Sequence, residues 1–555
     1  MFAIKASGFV VGTSLLWAAA IAVDEPQSLV CRWKLAGDCR DYSGNGNHGI
    51  NHGTELLARS PGGRSGPVAQ FDGRDDWVEV PDSKSLRIGA GEFSIAAWVH
   101  TAANLDDVLG DIVGKFDPTK RRGFNLGIMN FTGVTTSQSN HRQVYFGIDD
   151  GRPVGSWTDC GRPGNSVYVM AMSVHDGELY AGTCEPGQSE AGHVYRYAGN
   201  TRWMDCGSPD RSNAVSSLAV FEGKLYAGTA KYRLGGSALP ESENSNLGGR
   251  IYRYEGDKQW SDCGQLPETD AVGGMVVFRG RLYAASLYRP AGFFRYEGGR
   301  DWKRIATHEN KRVESLCVFN GQIFAGSYDG GHVYRFDGEA WTDCGQLAEN
   351  TQTYSFAIHH GRLYVGTWPS GRVYRYAGDR NWEDTGRLGE ELEVMGMSVY
   401  NGKLYAGTLP LAHVFRYDGD AQWTDTGRID FTPDVKYRRA WTMAQYQGKL
   451  FCGTLPSGHV WSFEAGKCVT SDHDLPPGWH HIVAVKSRDR LKLYIDGKPA
   501  AQPEQLGDVE FDLTNDSPLR IGFGPGDYFR GSLSDLRIFR GALTDAEIEH
   551  LFHKK

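Results

Sequence analysis

One phrase returns seven times in this 555-residue chain, and its clearest copy is Asn401-Gly402-Lys403-Leu404-Tyr405-Ala406-Gly407-Thr408. The turn glycines of the copies are Gly177, Gly223, Gly280, Gly321, Gly361, Gly402 and Gly448, at intervals of 46, 57, 41, 40, 41 and 46 residues. Those intervals suit the blades of a β-propeller better than helical repeats. Each copy reads as four short strands: an apolar run such as 394–399, an x-Gly hairpin turn, 404–408, then 413–417, and a fourth strand opening at Trp423. The x-Gly pair is a strong hairpin signal because glycine takes positive φ at no steric cost.

The fourth-strand tryptophans predict how the ring closes. They are Trp157, Trp203, Trp260, Trp302, Trp341, Trp382 and Trp423, so the first precedes any complete copy, and none follows the last copy at 450–463. Trp157 should therefore supply the outer strand of the last blade, leaving no open edge. The middle of each first strand is small (Ala171, Ser217, Gly274, Ser315, Ser355, Gly396, Thr442), as strands converging on one axis require. The expectation is a closed seven-bladed propeller over 155–465.

The net charge of −8, without a basic block, argues against a nucleic-acid partner. Residues 1–22 read as a secretory signal peptide: Lys5, an apolar stretch from Phe9 to Ala22, and small residues before Asp24. An uncleaved anchor is the alternative, and the apolar stretch is short for one. The mature chain is expected to be secreted, periplasmic or at the cell surface, without a membrane span, and monomeric. Export permits disulfides among the ten cysteines, with Cys31–Cys39 and Cys160–Cys468 as candidates. Cys160, Cys206, Cys263 and Cys344 share one blade position, where Thr385 and Thr426 stand in two other copies, and free thiols are expected there.

Both flanks alternate strands and turns, with one short helix at the end capped by Thr544 and Glu547. The stretches 41–49, 71–80 and 93–98 resemble the first half of a laminin-G-like domain, a jelly roll of the concanavalin A-like lectin/glucanase superfamily. The stretches 478–481, 494–497 and 531–538 resemble its second half, in the family's order. The resemblance implies one jelly roll split between 28–150 and 470–555, with the propeller inserted in one of its loops. The expected fold class is all-β: a jelly-roll β-sandwich carrying an inserted seven-bladed β-propeller.

The same resemblance implies a structural calcium ion held by Asp41, Asn47 and Asp535, since calcium takes several hard oxygens. The plain alternative is a tight turn fixed by Asp41 and Asn45. His480 and His481 alternate faces of a strand and read as packing. No Glu-x-Asp-x-x-Glu pattern occurs in either flank, so the superfamily resemblance implies no hydrolase.

In the propeller, the residue opening each third strand is His193, Arg250, Phe293, His332, Arg372, His413 or His459. Six of them could form an anion-binding ring on one face; repetition itself favours a packing role. The Trp-x-Asp carboxylates at 159, 205, 262, 343, 384 and 425 read as turn caps. Glu314 and Glu393, near the axis, are the non-repeated carboxylates, and the long 231–250 segment could serve as a lid or binding loop. The expected function is non-catalytic recognition of an extracellular glycan or surface protein, through the jelly roll or the propeller face. The competing expectation is a polysaccharide-active hydrolase or lyase with its site in the propeller funnel.

Overall fold

A computed structural model describes Met1 and residues 29–60, 63–64, 66–130 and 137–553. The expected signal peptide lies outside the described residues, Met1 apart. The fold is all-β, with Asp545–His553 as the one α-helix among the described residues. Its cap is reciprocal: Glu547 N–H donates to Thr544 Oγ1 at 3.3 Å and Thr544 N–H to Glu547 Oε2 at 2.8 Å. No described helix is long and apolar enough to cross a membrane.

Two large sheets make a β-sandwich, and both draw strands from either end of the chain. In the nine-stranded sheet, Phe93–Thr101 lies between Arg530–Arg540 and Gly478–Lys486. In the seven-stranded sheet, Leu519–Ile521 lies between Trp77–Val80 and Gly110–Asp117, and Lys467–Thr470 pairs with Gln143–Asp150. One core joins them, including Trp33, Phe71, Phe93, Phe146, Ile482, Phe529 and Ile538, all at most 2% exposed. Inward side chains of both sheets thus share a single apolar layer, the physical requirement of a sandwich.

Between these strands the repeats form a propeller. At every turn glycine the preceding residue has φ between 42° and 50° and the glycine between 67° and 87°, the two left-handed residues of a type I′ hairpin. The small axial residues are sterically needed: a Cβ on Gly274 would lie 2.4 Å from the Glu314 carbonyl, and one on Gly396 2.4 Å from that of Trp441. Thr158–Asp159 pairs with Val460–Phe463 as the outer strand of the last sheet. The last copy abuts the first, where Trp441 Nε1–H donates to the Met170 carbonyl at 2.9 Å. Five sheets stand apart with four strands each, not the expected seven. The remaining eight propeller strands run into one sheet, because Cys184 pairs with Ala214 across the boundary between the first two copies.

A belt of hydrogen bonds runs around the outside. The indole N–H groups of Trp203, Trp260, Trp302, Trp382 and Trp423 donate at 2.8–3.0 Å to the carbonyls of Cys160, Cys206, Cys263, Cys344 and Thr385 in the preceding copy. Trp157 reaches the Thr426 hydroxyl at 3.3 Å. Trp341 breaks the belt: its Nε1 is buried without a hydrogen-bond partner. The preceding copy carries Ile305 where most others have cysteine or threonine.

The ten cysteines are buried free thiols, so neither candidate bridge, Cys31–Cys39 or Cys160–Cys468, forms, and Cys160, Cys206, Cys263 and Cys344 are free as expected. Cys31 accepts from Asn47 Nδ2 at 3.2 Å, and Cys160 donates to Ser462 Oγ at 3.3 Å. Each sulfur is taken up by local packing instead.

Candidate functional site

Every first strand ends at its x-Gly turn, and six of these turns, all but that at Gly223, lie against the sandwich or its connecting segments. Asn320 N–H donates to Asp107, His360 N–H to the Pro525 carbonyl, Gly177 N–H to that of Asp472, and Gly448 N–H to Thr470 Oγ1, at 2.9–3.1 Å. Residues from the sandwich enter the axis from the same side. Gln138 N–H donates to the Leu218 carbonyl at 3.0 Å, Asn140 Nδ2 to that of Gln445 at 2.8 Å, and Ser137 Oγ lies 3.5 Å from Thr442 Oγ1. The sandwich thus closes one end of the axis. Antiparallel pairing sends the starts of the first strands, and the loops after the second strands, to the other end.

There the repeat gives way to individual residues. Tyr168, Tyr354 and Trp441 come from first strands, and Tyr232, Tyr288 and Tyr328 from the loops after second strands. Their rings touch in series: Tyr288–Tyr232 6.5 Å, Tyr232–Tyr168 5.4 Å, Tyr168–Trp441 5.1 Å, Trp441–Tyr354 6.5 Å and Tyr354–Tyr328 4.9 Å between centroids. Tyr168, Tyr354 and Trp441 are buried, while Tyr232, Tyr288 and Tyr328 are half-buried. Such rings offer broad apolar faces with polar edges. The long 231–250 segment packs beside them: Leu234 is buried in the same cluster, and Lys231 Nζ donates to the Ser242 carbonyl at 3.0 Å.

Charged groups sit among these rings. Glu314 is 2% exposed, with Arg312 Nη1 at 3.5 Å, yet neither carboxylate oxygen has a hydrogen bond. Burial lifts the Glu314 carboxyl far above the usual range, and Arg312 only partly opposes this. Glu393, also 2% exposed, lies 3.9 Å from Arg439 Nη2, and burial likewise raises it. Arg439 is 7% exposed, and its Nε and Nη1 have no hydrogen-bond partner. Burial disfavours the Arg439 charge, but Glu393 and the surrounding tyrosines outweigh that and hold it protonated. Asp329 bridges Arg312 and Arg289 at 3.0 and 2.8 Å. The arrangement can stack a flat ring and offer donors and acceptors to its polar edge.

The six histidines and arginines of the expected ring lie elsewhere, on third strands, two removed from the axis. Each meets the Trp-x-Asp carboxylate of the adjacent strand: His193–Asp205 2.7 Å, Arg250–Asp262 2.5 Å, His332–Asp343 2.9 Å, Arg372–Asp384 2.5 Å, His413–Asp425 2.8 Å and His459–Asp159 2.9 Å. The same carboxylates accept the N–H of the glycine two residues on, at 2.8–2.9 Å. The structure therefore brings these cations onto their own blades, not onto one another.

Of the expected calcium ligands, Asp41 and Asn47 are joined directly, Asn47 N–H donating to Asp41 Oδ2 at 3.0 Å. Asp41 also accepts from the N–H groups of Arg32 and Ser43. Asp535 is linked to them through Arg32, whose Nε lies 2.9 Å from Asp535 Oδ1, and pairs with Arg537 at 2.6 Å. Among the described residues, the group of acids close enough to share a cation is Asp72, Asp75 and Asp76. His480 pairs with Asp496 at 2.7 Å, and His481 packs 5.0 Å from Trp98. Arg439, Arg312 and the aromatic series were not singled out from sequence. Their signal was there: Tyr168, Arg312 and Arg439 stand three residues before the small axial residue, where two other copies carry Ala214 and Ala271.

The family model described as Concanavalin A-like lectin/glucanases superfamily (Laminin_G_3) matches residues 432–549. No curated protein matches the chain. Three solved structures are among those similar to the chain. A catalytically inactive virginiamycin B lyase from Staphylococcus aureus shares 8% identity, with 54% of this chain and 97% of that one covered, at a TM-score of 0.43. A xyloglucanase from Xanthomonas campestris shares 14%, covering 60% and 59%, at 0.40. BamB from Moraxella catarrhalis shares 10%, covering 58% and 96%, at 0.35. None of these likenesses bears on activity.

Proposed function

We propose that this chain is an exported recognition protein that binds an extracellular glycan at the free end of the propeller axis. The observation that carries this reading is the series of aromatic rings around buried, incompletely partnered Glu314, Glu393 and Arg439, at the end the sandwich leaves open. Aromatic faces match the C–H faces of sugar rings, and buried polar groups meet hydroxyls. In the same reading the eight-stranded sheet counts as two blades joined by one residue pair. The propeller is then seven-bladed, spans 155–465, and is inserted in a single jelly roll formed by 28–150 and 470–555. The pairing of Lys467 with Ile148, which sets the two ends of the propeller segment side by side, supports this. The histidine and arginine ring is assigned to blade packing. A calcium ion at the Asp41, Asn47 and Asp535 loop is assigned a structural role in the sandwich.

A glycan array probed with mature protein, in calcium and again in chelator, tests the reading. Expected is retention of a defined glycan class, unchanged by chelator at the axial site, with no cleavage product. Glu314, whose carboxyl is raised by burial, is the candidate general acid, so release of product from the retained glycan would move the assignment to a polysaccharide hydrolase. A blank array under both conditions would overturn it.

A further inference from the structure

Resting on that reading, we propose that the axial site selects sugars bearing a carboxylate, with Arg439 as the group that reads it. Other buried cations of this chain have their donors met. Arg121 is met by Asp149 at 3.0 and 3.3 Å. Arg142 donates to the carbonyls of Leu475 and Ala102 at 2.7 and 2.9 Å and to Thr101. Lys115 Nζ donates to Asp82 at 2.8 Å and to the Asn515 carbonyl at 3.1 Å. A buried charge persists only when its donors are met in this way.

Arg439 departs from that pattern. Its nearest carboxylate oxygen, on Glu393, is 3.9 Å away, and its Nε and Nη1 donate to nothing. Glu393 Oε1 is equally without a partner, so the pair is loosely matched rather than locked. The guanidinium lies beside Tyr437, 5.5 Å from the ring centroid, and opens the strand that carries Trp441 two residues on. A planar fork of N–H donors buried among these aromatic rings fits a planar carboxylate attached directly to a stacked ring.

The surrounding charges agree. Arg312 and Arg289 share the single carboxylate Asp329, so guanidinium donors at this end of the axis are not confined to Arg439. A uronate presents a ring face and a ring-bound carboxylate together. A sulfate ester stands further from its ring and is not planar.

The test is titration calorimetry of the full chain with glucuronate-, galacturonate- and mannuronate-containing oligosaccharides, the same oligosaccharides after carboxyl reduction, and sulfated neutral oligosaccharides. Expected is at least tenfold tighter binding of one uronate series than of its reduced counterpart. That preference should be lost in Arg439→Gln combined with Glu393→Gln, which removes both charges together. Arg439→Lys keeps the charge without the fork and should lose most of the preference; melting curves establish that each variant is folded. Equal binding of acid and reduced forms overturns the proposal and leaves glycan recognition standing. Preference for sulfated sugars overturns it too. Binding of none of these sugars overturns both readings.

Discussion

At the scale of single residues, charge is handled in two ways in this protein. Repeated charges are paired within a blade and partly exposed, as in His332–Asp343 and Arg372–Asp384. Exposed pairs contribute only about 0.2–1 kcal/mol each. His332→Ala with Arg372→Ala should therefore lower the melting temperature by a few degrees at most, read by calorimetry. Unrepeated charges are buried. Asp111, in the sandwich and beneath the propeller, is pushed up to about 6 by burial, and burial with neighbouring acids also raises Asp107 and Asp527. Their folded-state values exceed their unfolded ones, so folding takes up protons and stability falls as pH rises between the two values. Asp107→Asn keeps an oxygen for the N–H groups of Val108 and Asn320, and should melt a few degrees above the wild type near pH ~8, with the difference vanishing toward pH ~4. A variant less stable at both pH values would contradict this. Sequence alone pointed to Glu314 and Glu393, because they stood outside the repeat. It gave no sign that Asp107 and Asp527 meet, since 420 residues separate them.

At the scale of elements, the blade was legible because a hairpin writes itself locally. Alternating apolar residues, an x-Gly pair and a small axial residue each carry their own steric reason. The aromatic series was not legible in this way, since it depends on which ends of many strands the ring brings together. The tryptophan belt lies between these cases: its period was visible, while its acceptors were fixed only by packing between copies. The belt yields a paired prediction. Trp382→Phe removes a 2.9 Å hydrogen bond to the Cys344 carbonyl and should cost about 1 kcal/mol. Trp341→Phe removes an N–H that has no partner and should cost clearly less, as measured by denaturant unfolding of both variants side by side. Equal losses would show that ring packing, rather than the hydrogen bond, is what the belt provides.

At the scale of the whole molecule, the sandwich and the propeller depend on each other unequally. Strands from both ends of the chain alternate in both sandwich sheets, so neither end can bury its apolar face alone. The propeller segment starts and finishes beside itself, with Ile148 paired to Lys467. Replacing 152–465 by a short glycine-serine linker should leave a folded sandwich, read by near-ultraviolet circular dichroism and a cooperative melt. A chain ending at 470 should lose the sandwich, because Phe93–Thr101 would lack both neighbours. The flank motifs made strands at both ends of the chain readable from sequence. The covering of one propeller face by the sandwich, which decides where a ligand can enter, was not readable.

The central claim is that ligand binding belongs to the axis and not to the blade rims. The most direct measurement compares glycan affinity by calorimetry for the wild type, for Tyr288→Ala with Tyr328→Ala at the axis, and for His332→Ala with Arg372→Ala on the blades. The account predicts at least a tenfold loss for the axial pair and wild-type affinity for the blade pair, both variants remaining folded. Loss of binding in the blade pair with full affinity in the axial pair would contradict it.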